Sequence, residues 1–368
     1  MVQTIIKEYA INISIVHKIL SISIKSAIIK LKGETIGGKI LNISEIAKIA
    51  GVSSATVSRY LNNGYVSEDK KEKIRMIIEQ TGYVPSSQAQ MLRTRKTKLI
   101  GVILPKISSE TIGKVVDGIS EKLASSGYHI ILANTDNNIE KELEYLNIFR
   151  NNQVDGLIFI ATIINNKHKK LLKEMPIPVV IIGQELEGYC CVYHDDYNAA
   201  KSLVNEIIRA GCKKLAYIGA PSKDKAAGLS RKKAFLEAIE TNSEKVEAVA
   251  LEEGPFSMES GYELTKKVLA GHPEIDGIFC ATDTIAVGAI EAIKEEGKAI
   301  PEEISIVGMG DTKLSKVVSP KLTTVKYYYR ISGVEGASML LDMIEQNQTY
   351  NKKIKLGYEI IGRESVKI

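Results

Sequence analysis

Four cysteines are all that 368 residues contain, two of them adjacent at Cys190 and Cys191 and the others isolated at Cys212 and Cys280. Neighbouring cysteines do not readily bridge, and none stands at ligand spacing from the five histidines, so no disulfide framework and no metal site is encoded. A reducing compartment, the cytoplasm, is the expectation. Tryptophan is absent. Also missing are the G-x-S-x-G turn of a hydrolase, the G-x-x-x-x-G-K-[ST] phosphate loop and the H-E-x-x-H zinc motif. No catalytic residue and no cofactor is therefore expected. The longest Ile-rich stretch, "INISIVHKILSISIKSAIIKLKGETIGGKI", is interrupted by His17, Lys18, Lys25 and Lys30, which excludes a membrane span, and it lacks a signal-peptide cleavage site. Gly37-Gly38 matches a ribosome-binding sequence read as codons, with Leu41 as the initiation site. Residues 1–40 are then an atypical extension that the native start leaves untranslated.

What is present is an ordinary globular composition, 44% hydrophobic and 25% charged, on a chain long enough for two to three domains. Net charge is only +5, yet Lys70, Lys71, Lys73, Arg75, Arg93, Arg95, Lys96 and Lys98 fall in one short reach. A polyanion would feel that local excess; a solvated helix face accounts equally well for the first four.

The stretch "NISEIAKIAGVSSATVSRYLNN" (Asn42–Asn63) predicts two short helices. Ile46, Ala47 and Ala50 share one side of the first, Gly51 supplies a permissive turn, and Ser53 can cap the second. On the second helix Val57 and Leu61 face inward with Val52. Ser54, Ala55, Ser58, Arg59 and Asn62 recur at helical spacing on the other side, which is small, polar and basic. Helix-turn-helix geometry of this kind places its second helix in a DNA major groove, although Gly-joined helix pairs also occur in proteins that never touch DNA. Ser67, Glu68 and Asp69 open a third helix carrying Ile74, Ile77 and Ile78, closed by Gly82 before Pro85.

From Lys98 onward the pattern changes to short Ile- and Val-rich runs separated by helical stretches: "KLIGVILP", "YHIILANT", "VDGLIFIAT", "PVVIIGQ", "KLAYIGA", "IDGIFCAT" and "ISIVGMGDT". These are strands of parallel sheets covered on both faces, an α/β architecture. "VDGLIFIAT" and "IDGIFCAT" echo one another, as two copies of one architecture would; Asp-Gly turn chemistry alone also produces such an echo. Ligands of open α/β sheets bind at the carboxyl ends of the strands.

"AGVSSATVSRYLN", "GYVPSSQAQMLRTRKT" and "LIGVILP", in this order, resemble the LacI/GalR family of bacterial transcription regulators from about residue 41 to the C-terminus. The resemblance implies a three-helix DNA-binding headpiece over 41–86 and a hinge helix and linker over 87–97. It implies an effector-binding and dimerisation domain over 98–368, like the periplasmic sugar-binding proteins. That domain has two doubly wound subdomains, about 98–192 with 329–356 and about 194–325 with 357–368. Ser53, Ser54, Ala55, Thr56, Ser58, Arg59 and Asn62 would then face double-stranded operator DNA, Arg59 on bases or phosphates. Leu92 of the hinge would wedge into the minor groove, and Ala89 would pack against a second subunit's hinge. Arg231 matches the family's ligand-gripping arginine. Asp283 sits beside Thr282, where the family often has Asn, and Tyr329, the last of "YYY", matches an aromatic stacking position, with a core or interface role equally open for the run. Lys106 and Ser109 lie on the loop that often meets the effector. Gly310 in "SIVGMGDT" stands where a ligand-binding Asp is usual, leaving Asp311 as its neighbour. The expected protein is a homodimeric repressor of carbohydrate-utilisation genes controlled by a sugar or sugar phosphate. A phosphorylated carrier protein as trigger is the alternative within regulation, and a solute-binding protein is a more distant one. No heptad follows "GYEIIGRESVKI", so a dimer is expected over a coiled-coil tetramer.

Overall fold

The computed structural model describes residues 41–62, 64–83, 96–151, 154–242, 244–346 and 350–367, in two units that part between Arg95 and Lys96. In the first, helices α1 (Ile43–Ala50), α2 (Ser54–Leu61) and α3 (Glu68–Thr81) enclose a small core of Ile46, Ala47, Val57 and Ile74 closed by Tyr83. The ends of these helices are specified locally. Asn42 and Glu45 form a reciprocal cap on α1, the Asn42 carboxamide oxygen accepting from the Ser44 and Glu45 amides at 3.0 and 3.1 Å while the Glu45 carboxylate accepts from the Asn42 amide at 2.8 Å. Gly51 then turns the chain at φ 66°, a left-handed conformation that suits glycine.

The second unit holds two six-stranded sheets. Strands β1 (Leu99–Leu104), β2 (His129–Asn134), β3 (Gly156–Ile160), β4 (Val179–Ile182), β5 (Cys190–His194) and the late β11 (Lys353–Leu356) form the first, in the order β11-β5-β4-β3-β1-β2, all parallel. Strands β6 (Lys214–Gly219), β7 (Glu247–Glu253), β8 (Gly277–Cys280), β9 (Ser305–Met309), β10 (Thr323–Tyr327) and β12 (Tyr358–Ile361) form the second, β12-β10-β9-β8-β6-β7, parallel except for β12. The interior strands are buried on both faces, as continuous apolar runs require. On one face of the first sheet Ile100, Val102, Ile158 and Val180 pack under α4 (Glu110–Ala124) and α12 (Tyr329–Gln346). On the other, Ile103, Leu157, Phe159 and Ile181 pack under α5 (Ile139–Asn151) and α6 (Asn166–Lys173). The second sheet is covered by α7 (Asp196–Arg209) and α8 (Arg231–Thr241) on one face, α9 (Met258–Gly271) and α10 (Asp283–Glu295) on the other. A short α11 (Lys313–Val317) follows β9.

The chain crosses between the two halves three times, at Asp195 between β5 and α7, at Tyr328 between β10 and α12, and at Gly357 between β11 and β12. The Val154–Thr162 and Ile275–Thr282 echo marks equivalent places. β3 and β8 occupy the same position in their sheets. Asp155 accepts from the Thr97 and Lys98 amides at 2.7 and 3.0 Å, and Asp276 from the Lys213 and Lys214 amides at 2.9 and 2.8 Å. In each half the aspartate before the strand therefore pins the start of the neighbouring strand, and the echo is a repeated structural device.

Among the described residues no helix is long and apolar enough to cross a membrane, and no three His, Cys, Asp or Glu side chains group as a metal site. All four cysteines are free and buried.

Candidate functional site

Two places bring chemistry together, one in each unit. On the first unit, Ser53 caps α2 by accepting from the Thr56 amide at 3.2 Å, and its hydroxyl lies 2.9 Å from the Thr56 hydroxyl. Val57 is fully buried, which turns the opposite side of α2 outward. Ser53, Ala55, Arg59 and Asn62 are exposed and Ser54, Thr56 and Ser58 half-buried. Ser54 leans on Ser44 of α1 at 3.4 Å, and the Asn62 carboxamide donates to the Ser58 carbonyl. On α3, Lys71 and Arg75 pair with Glu68 and Glu72 one turn away, whereas Lys70 and Lys73 are exposed. Ala89 and Leu92 lie outside the described residues.

In the second unit a cavity of about 450 Å³ opens between the two halves at the carboxyl ends of the strands, where the α/β rule places ligands. Lys106, Ser109, Arg231, Asp283 and Tyr329 all line it. Arg231 is buried and donates through Nε to Asp196 at 2.9 Å and through Nη1 to the Ala281 carbonyl. The carboxylate of Asp196, and the Tyr327 and Tyr329 rings beside it, hold the guanidinium charged against the cost of burial. Tyr327 donates to Asp196 at 3.1 Å, and the guanidinium stands 5.5 Å from the centre of the Tyr327 ring. His194 packs against both tyrosines, its ring centre 4.8 Å from Tyr327 and 5.2 Å from Tyr329. His194 and Asp196 flank the crossing at Asp195, and Tyr327 and Tyr329 flank that at Tyr328. Asp195 itself caps α7, whereas Asp196, the next residue, meets Arg231.

Asp283 opens α10 fully buried, its carboxylate accepting from the Thr312 amide and hydroxyl at 2.8 and 3.0 Å and from the Thr324 hydroxyl at 2.5 Å. Burial pushes its pKa up. Three donors thus occupy it from the protein side, which makes it a brace for the loop after β9. Asp311 is not brought to the cavity: its carboxylate faces Arg363 and Lys316. Gly310 has φ 141°, and a side chain there would start 3.4 Å from Asp283. That φ is one that side-chain-bearing residues rarely adopt, so any substitution at 310 would be strained. Lys106 is exposed at the rim. Across the mouth the Glu110 carboxylate accepts from the Lys313 amide at 2.8 Å, joining α4 of one half to α11 of the other.

His194 and Tyr327 were not singled out by spacing, because a strand-end histidine carries no motif. Burial drops the His194 pKa to about 4, the Asp196 carboxylate opposing this and Arg231 adding to it. The unfolded ring binds a proton near pH 6.5, whereas the folded one refuses it until about 4. Stability of the second unit therefore falls as pH drops through that window. Thermal unfolding from pH 7 to 4.5 should show this slope, and His194→Phe should flatten it.

Residues 42–86 match the model described as bacterial regulatory proteins, lacI family, and residues 204–366 match the periplasmic binding protein-like domain. The chain is 33% identical to the sucrose operon repressor of Staphylococcus xylosus, with 86% of this chain and 98% of that protein covered. It belongs to the lacI family. This lacI-family chain is also 31% identical to the ribose operon repressor of Bacillus subtilis over 88% of its own length and 98% of the relative's. It is 31% identical to catabolite control protein A of Priestia megaterium, over 89% and 99%. In fold it is similar to the Lac repressor dimer bound to operator and an anti-inducer, at a TM-score of 0.82 and 23% identity over 89% of this chain and 99% of that one. The family is one of transcription regulators.

Proposed function

We propose that this chain is a homodimeric, sequence-specific repressor of carbohydrate-utilisation genes in the cytoplasm, its operator affinity set by a small sugar in the cleft. The observation that carries this reading is one chain holding both a capped reading helix with an exposed polar and basic face and a cavity between two halves whose lining centres on Arg231, Asp196 and two tyrosines. Planar guanidinium donors suit vicinal hydroxyls, and tyrosine faces suit the C–H side of a sugar ring. Sugar-operon repressors are among its relatives at more than 30% identity.

The mechanism is linkage. A ligand shifts operator affinity only by binding two conformations unequally, and a coupling of ~1–3 kcal/mol gives ~5–150-fold. Across the cleft the Glu110–Lys313 hydrogen bond joins the two walls, and a conformation with the walls apart would lose it. The connector at 87–93, for which the resemblance implies a hinge helix, lies outside the described residues. Two headpieces on a palindrome combine energies that one cannot supply.

The test is binding to labelled DNA from upstream of the native gene at fixed salt, with and without sucrose, ribose, cellobiose and their phosphates. Release or tightening by one compound is the expected result. Tight binding indifferent to every sugar moves the reading to a phosphorylated carrier protein as trigger, which the similarity to catabolite control protein A favours. Arg59→Ala should cost ~1–3 kcal/mol at the operator if the guanidinium reads a base; a uniform loss over all operator variants marks a phosphate contact.

A further inference from the structure

The first amides of a helix have no partner within it. At α11 the residue in the capping place, Thr312, makes no side-chain cap, because its hydroxyl is turned to the Asp283 carboxylate at 3.0 Å. An acceptor comes instead from the other half. Glu110, the first residue of α4, places one carboxylate oxygen 2.8 Å from the Lys313 amide and the other 2.8 Å from the Lys114 ammonium. Burial would raise the pKa of this carboxyl, but the hydrogen bonds from Lys114 and Lys313 outweigh it and bring the value below the ordinary one, so the group stays charged.

This contact stands apart from the three crossings. Glu110, Thr312 and Leu314 line the effector cavity, whereas the backbone joins the halves at Asp195, Tyr328 and Gly357. The bond therefore ties two walls that the chain itself does not join there. Lys106, four residues before Glu110, acts across the same opening: after the Glu259 amide and Ser257, its charge helps to lower the pKa of Glu259 at the start of α9 in the second half.

We propose that the Glu110–Lys313 bond is a latch built into the chain: it holds the walls of the cleft together with no effector present and so sets the operator affinity of the effector-free protein. This rests on the reading of the cleft as a regulatory site and adds what governs its resting state. An effector gripped by both walls favours the joined conformation, and the latch favours the same conformation from within, so less effector is needed to fill it. Without the latch the effector-free protein moves away from the effector-bound form, and the effector has to make up the difference.

Two variants remove the same bond from opposite walls. Glu110→Ala takes away the acceptor. Lys313→Pro takes away the donor at the first position of α11, where proline is tolerated, and after a Thr312 whose ψ of 169° suits the residue before a proline. Lys313 is outside the cavity lining, so its variant separates the latch from any contact of Glu110 with the effector. Glu110→Gln keeps an acceptor and is the conservative control.

The first measurement needs no effector: amide hydrogen exchange in ¹⁵N-lysine-labelled full chain, with Lys313 assigned from Lys313→Arg. The Lys313 amide should exchange roughly tenfold more slowly in wild type than in Glu110→Ala; equal rates overturn the latch whether or not any sugar binds. The second is the concentration of sucrose, ribose, cellobiose or their phosphates that half-releases or half-tightens operator DNA at fixed salt. Glu110→Ala and Lys313→Pro should each raise it by the same factor, about three- to tenfold. The double variant should go no further than either, Glu110→Gln should recover part of the loss, and operator affinity at saturating effector should stay at the wild-type value. An unchanged concentration in Lys313→Pro, or increases that add in the double variant, overturns the latch while leaving an effector-controlled repressor standing. If no compound changes operator binding, the effector reading falls, and the Lys313 exchange rate alone decides the latch.

Discussion

Arg231→Leu is expected to destabilise the second unit by about 3–5 kcal/mol. Arg231 is 7% exposed and so is Asp196. Removing the guanidinium leaves a buried carboxylate whose remaining side-chain donor is the Tyr327 hydroxyl. The Ala281 carbonyl at the end of β8 loses its donor in the same step. Because Asp196 belongs to one crossing and Tyr327 to another, the loss falls on the segments that join the halves. Thermal or urea unfolding of the second unit should therefore show a drop of this size, and effector response should vanish. Asp196→Asn tests the cause: the carboxamide keeps an acceptor for Arg231 but leaves the buried guanidinium without a counter-charge, so a comparable loss is expected. A markedly smaller loss would mean that hydrogen bonding, not charge pairing, holds the cluster.

Ile46→Ala is expected to unfold the first unit while sparing the second. Truncating a fully buried isoleucine costs about 2–5 kcal/mol, and Ile46 is 0% exposed in a core of few side chains. A domain this small has little stability to lose. Operator binding should disappear at any salt concentration, whereas the unfolding midpoint of residues 96–368 should stay put. A shift of both midpoints together would contradict the independence of the two units.

The helices of the headpiece were legible because their signals are local: Ser53 caps, Gly51 turns and Val57 faces in, each within four residues of what it organises. The apolar runs around β1, β3, β4, β8 and β9 were legible for the same reason, being buried on both faces. β5, "CCVYH", and β12, "YEII", gave no comparable pattern, since each is short and partly exposed at an edge or next to a crossing. The cleft was half legible. Arg231 and Tyr329 came from resemblance, and the structure places both on its wall. Asp196 carries no motif, because its partner is 35 residues away. His194 joins the cluster through ring contacts with Tyr327 and Tyr329, more than 130 residues away, which no sequence window contains.

The triple crossing also sets an order of events at the ribosome. The first sheet is synthesised through β5 by residue 194, but the helix that covers one of its faces, α12, supplies Ala337, Met339, Leu340 and Leu341 only after the whole of β6 to β10 has been made. At about 5–20 residues per second that interval is roughly 8–30 s. During it Ile158 and Val180 have α4 but not α12 above them, and the nascent chain carries an apolar surface for a chaperone to shield. A stop codon anywhere between the first crossing and the end of α12 consequently leaves neither half able to finish its core.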